Sequence, residues 1–246
     1  MRRLLIINPN TSQSVTQLLQ VHGQQAGGSE VQIQTQTARF GAAYIACEAS
    51  YAVAGHAVLD AWATAKANPD RAFDAVLIGC FGDPGLMALR ENCDVPVTGL
   101  AEAAFFQAAQ FGRFAVVTGG ARWKPILTRL AHSLGFSEQL AGIHTVAPSG
   151  AQLAQDPQRA QNLLQAACLQ AIAQFDVQAL VLGGAGLAGM AARLQPALPV
   201  PLVDSVTAGV RHAFSPCLPE SLGRGRFELA WHRLSAEMTV LGALDC

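Results

Sequence analysis

Eight short apolar runs rich in branched residues punctuate this chain, and Ala/Gln/Leu-rich stretches of helical period separate them. That alternation is the pattern of parallel strands joined by crossover helices. The runs are Leu4–Asn8, Val31–Thr35, Ala75–Gly79, Val95–Thr98, Phe114–Thr118, Ile143–Val146, Ala179–Gly183 and Pro201–Asp204. They fall into two sets of four that overlay by simple shifts. A shift of 110 lays RLLIINPN (3–10) on RFAVVTGG (113–120) and Ile33 on Ile143. A shift of 104 lays AVLIGCFGDPGLMA (75–88) on ALVLGGAGLAGMAA (179–192), with Ala75, Gly79, Gly82, Gly85 and Ala88 falling on identical residues. At 105, Val95-Pro96 falls on Val200-Pro201 and Ala103 on Ala208. Convergence of two similar halves accounts for some of these matches; duplication accounts for the nearly constant offset.

The expected fold is therefore α/β, with two pseudo-twofold-related lobes, each a four-stranded parallel sheet flanked by helices. Residues 1–100 with 209–246 would form the first lobe and 101–208 the second. Ligands of open α/β sheets bind outside the carboxyl ends of the strands, so the active site is expected in the cleft between the lobes, where positions 80 and 184 face each other. The amphipathic segment Phe227–Leu244 is expected to fold back on the first lobe as a helix.

Composition narrows the function. A hydrophobic fraction of 51% in 246 residues supports a substantial core. The net charge is −1 and the 16 basic residues are scattered, which argues against nucleic-acid and membrane partners and leaves a small-molecule substrate. The opening MRRLLIINPN is too short in apolar residues for a signal-peptide core, and no apolar run reaches the ~18 residues of a transmembrane helix. A cytoplasmic location is expected. The six cysteines show neither zinc-site spacing nor disulfide-scaffold density, so each reads as a free thiol. No metal spacing occurs among the six histidines.

Chemistry concentrates at Cys80. It follows an apolar strand and precedes Phe81-Gly82-Asp83-Pro84-Gly85, with a helical stretch Leu86–Arg90 beyond. Asp83 suits a helix N-cap and Pro84 the first helical position. A helix N-terminus lowers a thiol pKa, which makes Cys80 a candidate thiolate, while Gly79 and Gly82 would leave backbone N–H groups open to a substrate oxygen. A lone cysteine is more often a small buried apolar residue. The strand-end position, the Gly-rich turn and the predicted symmetry axis favour the chemical reading here. Cys47, Cys93, Cys168, Cys217 and Cys246 keep the bland one. Arg39-Phe40-Gly41, after the second strand, is a candidate pocket cap, with a surface arginine as the alternative. Trp123 is read as a packing residue with a place at the pocket wall as the alternative.

INPNTS (7–12), GCFGDPGL (79–86), VPVTGLAEAA (95–104), VVTGGARW (116–123) and VLGGAGLAG (181–189) resemble the hydantoin/allantoin racemase branch of the aspartate/glutamate racemase superfamily. The resemblance covers nearly the whole chain. It implies the two-lobed fold, no cofactor, no metal, and a cleft cysteine from each lobe, one removing an α-proton and the other delivering one to the opposite face. By position, Cys80 matches the first-lobe catalytic cysteine. Asn8, Phe81 and Gly82, with Thr118, Gly119 and Gly120, match strand-end residues that line the pocket. Ala185 and Gly186 match places where backbone amides meet substrate oxygens, and Phe40 belongs to a substrate-facing loop. A 5-monosubstituted hydantoin is the first substrate guess, with allantoin or a free amino acid as alternatives. The oligomeric state is left open, with a homo-oligomer as one outcome.

One departure stands beside the match. The second-lobe motif of the racemases usually reads G-C-A-G, whereas this chain has Gly183-Gly184-Ala185-Gly186. Glycine carries no proton. A water or a nearby group (Asp204, His212 or Asp83) would have to serve the second face. Otherwise the chemistry is that of a single-cysteine decarboxylase of the arylmalonate type or of another isomerase, or the ancestral activity has been lost. A rival from another class is a dinucleotide site: Gly184–Gly189 satisfies GxGxxG with Asp204 at a strand end beyond it. It ranks lower because the motif comes third of four in its lobe and the overlay already explains its glycines. A plain ligand-binding module, which would bind without turnover, is a further alternative.

Overall fold

The eight runs mark eight parallel strands; the central ones are buried on both faces, and two outer ones, through Ile33 and Ile143, are only partly buried. The computed structural model describes residues 1–68, 71–147, 152–153, 156–218 and 231–241, with backbone alone at 157 and 241. The first half contains β1 (Arg2–Asn8), α1 (Gln13–Gly27), β2 (Val31–Thr37), α2 (Glu48–Lys66), β3 (Ala75–Ile78), α3 (Leu86–Asn92), β4 (Val97–Gly99) and α4 (Leu100–Ala109). The second contains β5 (Phe114–Gly119), α5 (Trp123–Ser133), β6 (Leu140–Val146), α6 (Pro157–Phe175), β7 (Ala179–Gly183), α7 (Met190–Leu194), β8 (Leu202–Asp204) and α8 (Ser205–His212), and α9 (Ala236–Leu241) follows. The sheets run β2-β1-β3-β4 and β6-β5-β7-β8, the same order twice.

Strand limits differ from the apolar runs where polarity or proline intervenes. β1 starts at Arg2, because Arg2 and Arg3 pair with Val31 and Gln32 although their side chains are not buried. β4 starts at Val97, since Pro96 has no N–H to give; its carbonyl still accepts from Val76. β6 reaches back to the half-buried Leu140 on an outer strand.

Alternation along the second sheet shows how the lobes join. Ala115, Val117, Leu180 and Leu182 face a core closed by α6 through Ala160, Leu164 and Ala171. Phe114, Val116, Val181 and Val203, on the opposite face, belong to the core of the first sheet. The crossing helices complete the joint. α4 packs on β7, and α8 packs on α1 and α4. Phe105 of α4 sits fully buried, with ring centroids 5.9 Å from Phe81, 5.5 Å from Phe114 and 6.0 Å from Phe136.

The terminal helix is shorter than the pattern suggests. Residues 231–235 are not helical, α9 covers Ala236–Leu241, and the remainder of 227–244 lies outside the described residues. α9 packs on α2. Ser235 Oγ donates to Asp60 Oδ1 at 2.6 Å, and Arg39 bridges Asp60 and Glu237 at 2.7 and 3.1 Å. Burial opposes ionisation of Asp60, but the hydrogen bonds from Arg39 and Ser235 outweigh it, and its pKa is lowered. No helix of the described residues is long and apolar enough to cross a membrane.

Candidate active site

Cys80 lies where β3 ends, in a small cavity of about 40 Å³ walled by both lobes. From the expected site, Cys80, Phe81, Thr118, Gly184, Ala185 and Gly186 line it. Trp123, Asn10, Val15, Tyr44, Ile45, Gly79 and Gly183 complete the wall among the described residues.

The thiol is not held as the sequence suggested. Asp83 has φ 52 and does not cap the following helix; α3 begins at Leu86 after Gly85, so its N-terminus does not directly follow Cys80. Burial, with the charge of Asp83 second, pushes the Cys80 thiol well above its ordinary pKa. Its resting form is the thiol, with only 8% of the residue exposed.

Asp83 instead caps a different helix. Its carboxylate accepts from the N–H groups of Ala101 and Glu102 at 2.9 and 2.8 Å, at the start of α4. Burial raises its pKa to about 7, against the pull of those N–H groups. In the second half Asp204 accepts from Val206 and Thr207 at the start of α8, at 3.0 and 2.9 Å, and from Gly189 at 3.0 Å. At the shift of 105, Ala101 and Glu102 fall on Val206 and Thr207, and Gly99 falls on Asp204. One cap is thus supplied from two chain positions. A side chain at 99 would collide with the Asp83 carboxylate, which explains glycine there.

Hydrogen bonds assign each polar wall group a direction. The backbone N–H of Ser12 donates to Asn10 Oδ1 at 2.9 Å, and Asn8 Nδ2 donates to the same oxygen at 3.0 Å. Asn10 therefore offers the cavity its NH2 as a donor. Thr118 Oγ1 donates to the Gly183 carbonyl at 2.8 Å, so its proton is spent and it can only accept. Thr118 is therefore no donor to a substrate oxyanion. The N–H groups of Phe81, Ala185 and Gly186 have no hydrogen-bond partner among the described residues. Gly79 is corrected too: its N–H donates to Ile7 O at 2.7 Å.

Several expected residues stand behind the wall or away from it. Asn8 is fully buried and orients Asn10, Ser12 and Thr16. Gly82 and Gly120 have φ 147 and 94 and back onto Trp123, and Gly119 ends β5. Phe40 packs edge-on against His56 at 4.9 Å, and Arg39 is held by Asp60 and Glu237. The same loop reaches the cavity four residues later, through Tyr44 and Ile45. Asp83 and Asp204 are helix caps and His212 packs on Phe106 at 4.6 Å; none of the three lines the cavity.

Gly184 has φ 140 and ψ 130, a conformation open to glycine. A side chain there would meet only Leu187, at 3.6 Å, so the wall in the second lobe is bare. Its N–H donates to Ser205 Oγ at 3.3 Å, a contact that local patterning does not reveal. As a dinucleotide site this loop fares poorly: α7 has only five residues, and the Asp204 carboxylate is taken by three backbone N–H groups. No group of three or more potential metal ligands occurs among the described residues.

Two matching α/β sheets, with a thiol and unpartnered backbone N–H groups between their carboxyl ends, define a two-lobed cleft protein. The chain belongs to the Asp/Glu/Hydantoin racemase family, whose sequence profile matches residues 4–213. It is 30% identical to a hydantoin racemase of Pseudomonas sp. (strain NS671), over 99% of this chain and 96% of that one. A hydantoin racemase of Paenarthrobacter aurescens is 33% identical over 87% and 90%. Among solved structures, allantoin racemase from Klebsiella pneumoniae superposes with a TM-score of 0.80 at 32% identity, covering 87% of this chain and 86% of that one.

Proposed function

We propose that this chain is a cofactor-independent racemase or epimerase of an amino-acid derivative, with a hydantoin as first substrate and Cys80 as the group that takes and returns the α-proton. The observation that carries the reading is the position of the Cys80 thiol in a cavity shared by both lobes. The wall adds a substrate class. Asn10 gives a donor and Thr118 an acceptor, the complement of a carbonyl and an N–H. That pair suits a planar amide or ureide. The N–H groups of Phe81, Ala185 and Gly186 would stabilise negative charge as it gathers on the carbonyl oxygen.

Proton removal breaks the α-C–H bond, forms the S–H bond, and sends the electron pair into the carbonyl. Return of a proton reverses each change. Cys80→Ala should fold normally and lose racemisation, together with deuterium uptake by the enantiomer whose α-hydrogen faces residue 80. NMR in heavy water reads both, and retained uptake by both enantiomers would remove Cys80 from the mechanism.

The bare wall at Gly184 keeps a single-cysteine decarboxylase as the second reading. None of the described lining residues is cationic, which suits a neutral substrate better than a malonate dianion. Evolution of CO2 from a substituted malonate, without racemisation of hydantoins, would select the decarboxylase.

A further inference from the structure

Racemisation needs a proton on each face of a planar intermediate, yet the second-lobe wall ends in a glycine. We infer that Tyr44 is the second proton-transfer residue, its phenol serving the face opposite Cys80. The inference rests on the racemase reading and on three features of the cavity. First, Cys80 and Tyr44 are the two titratable side chains among its described lining residues; Asp83, Asp204 and His212 are absent from the wall. Second, the two side chains reach the cavity from different elements: Tyr44 from the loop after β2 and Cys80 from the end of β3, with Asn10 of the β1–α1 turn in the same wall. Third, the bare backbone at Gly184 leaves that side of the cavity open to a side chain from elsewhere.

The loop that carries Tyr44 is tied down at both ends. Thr11 N–H donates to Ala42 O at 3.1 Å, joining the loop to the turn that holds Asn10. Beyond Tyr44, Ile45 is buried, and the Ser50 hydroxyl accepts from the N–H groups of Ala46 and Cys47 at 3.0 and 3.1 Å, fixing the entry to α2. A pinned aromatic acid is placed for stereospecific proton delivery.

The step balances. The Cys80 thiolate takes the α-proton, and the electron pair passes to the carbonyl oxygen. The Tyr44 O–H bond then breaks as the new C–H bond forms on the opposite face, leaving a phenolate. The opposite enantiomer runs the sequence backwards, with phenolate as base and thiol as acid. Proton exchange with water resets the pair.

The test is Tyr44→Phe, assayed in deuterated buffer with each enantiomer of a 5-alkylhydantoin, reading optical rotation and α-deuterium together. The variant should racemise at least about a hundredfold more slowly, the lower end of what a positioned acid contributes. The enantiomer whose α-hydrogen faces Cys80 should still take up deuterium with retained configuration, which also shows that the variant is folded. Racemisation at the wild-type rate would assign the second proton to solvent, and loss of both signals would make Tyr44 a packing residue; either result overturns the proposal. Cys80→Ala in the same assay separates the two claims. If both enantiomers still exchange in it, the cysteine reading falls; if exchange of the enantiomer that faces residue 80 is lost while Tyr44→Phe racemises normally, only the tyrosine reading falls.

Discussion

At the scale of the residue, the electrostatics of Cys80 set the pH behaviour. Burial first and the Asp83 charge second favour the thiol, so kcat/KM for racemisation should climb with pH between 7 and 9, as the small thiolate fraction grows. Asp83 adds a signature of its own. Its carboxyl is raised to about 7 in the fold, against about 3.9 in an unfolded chain, so the folded state holds its proton over that interval. Its contribution to stability is complete below pH 4 and lost as pH rises through 7. In Asp83→Asn, denaturation midpoints should lose that part of the pH dependence. Removing the charge should also speed alkylation of Cys80 by iodoacetamide at pH 8; an unchanged rate would show that Asp83 does not act on the thiol. Asp83 also shows why part of the site was illegible. Asp-Pro-Gly reads locally as the start of its own helix, and only the tertiary approach of α4 reveals the N–H groups it serves.

Among the elements, legibility followed burial. The central strands stood out because they are buried on both faces, whereas the polar start of β1 and the half-buried start of β6 left no apolar mark. Residues at strand ends, Cys80, Thr118 and Gly184 among them, could be placed from the strands alone. Tyr44 and Ile45 could not, because the path of a ten-residue loop (38–47) depends on what it docks against. The Asn-Pro-Asn run was half read: the first asparagine is structural and the second lines the cavity. At this scale the α4 cap is the most sensitive joint. Gly99→Ala places a methyl where the Asp83 carboxylate lies and should cost about 1–2 kcal/mol, the range for a lost cap, as measured by urea denaturation.

For the molecule as a whole, the internal overlay was the strongest guide, and the repeated sheet order is its structural counterpart. What the overlay could not supply was the way the lobes lock. Phe105 fills the joint from α4, and the Phe81 ring occupies the space that a side chain on Gly183 would take. Phe105→Ala should lower stability by about 3–5 kcal/mol in chemical denaturation. The two ways of capping α4 and α8 carry a consequence for ancestry. In one half the acid sits on the loop after the third strand, in the other at the tip of the fourth. A crossover between the repeats that falls from residue 84 to residue 98 would give a lobe two acids crowded at one helix start, or none. A breakpoint outside that interval leaves each helix start with the single acid that serves it.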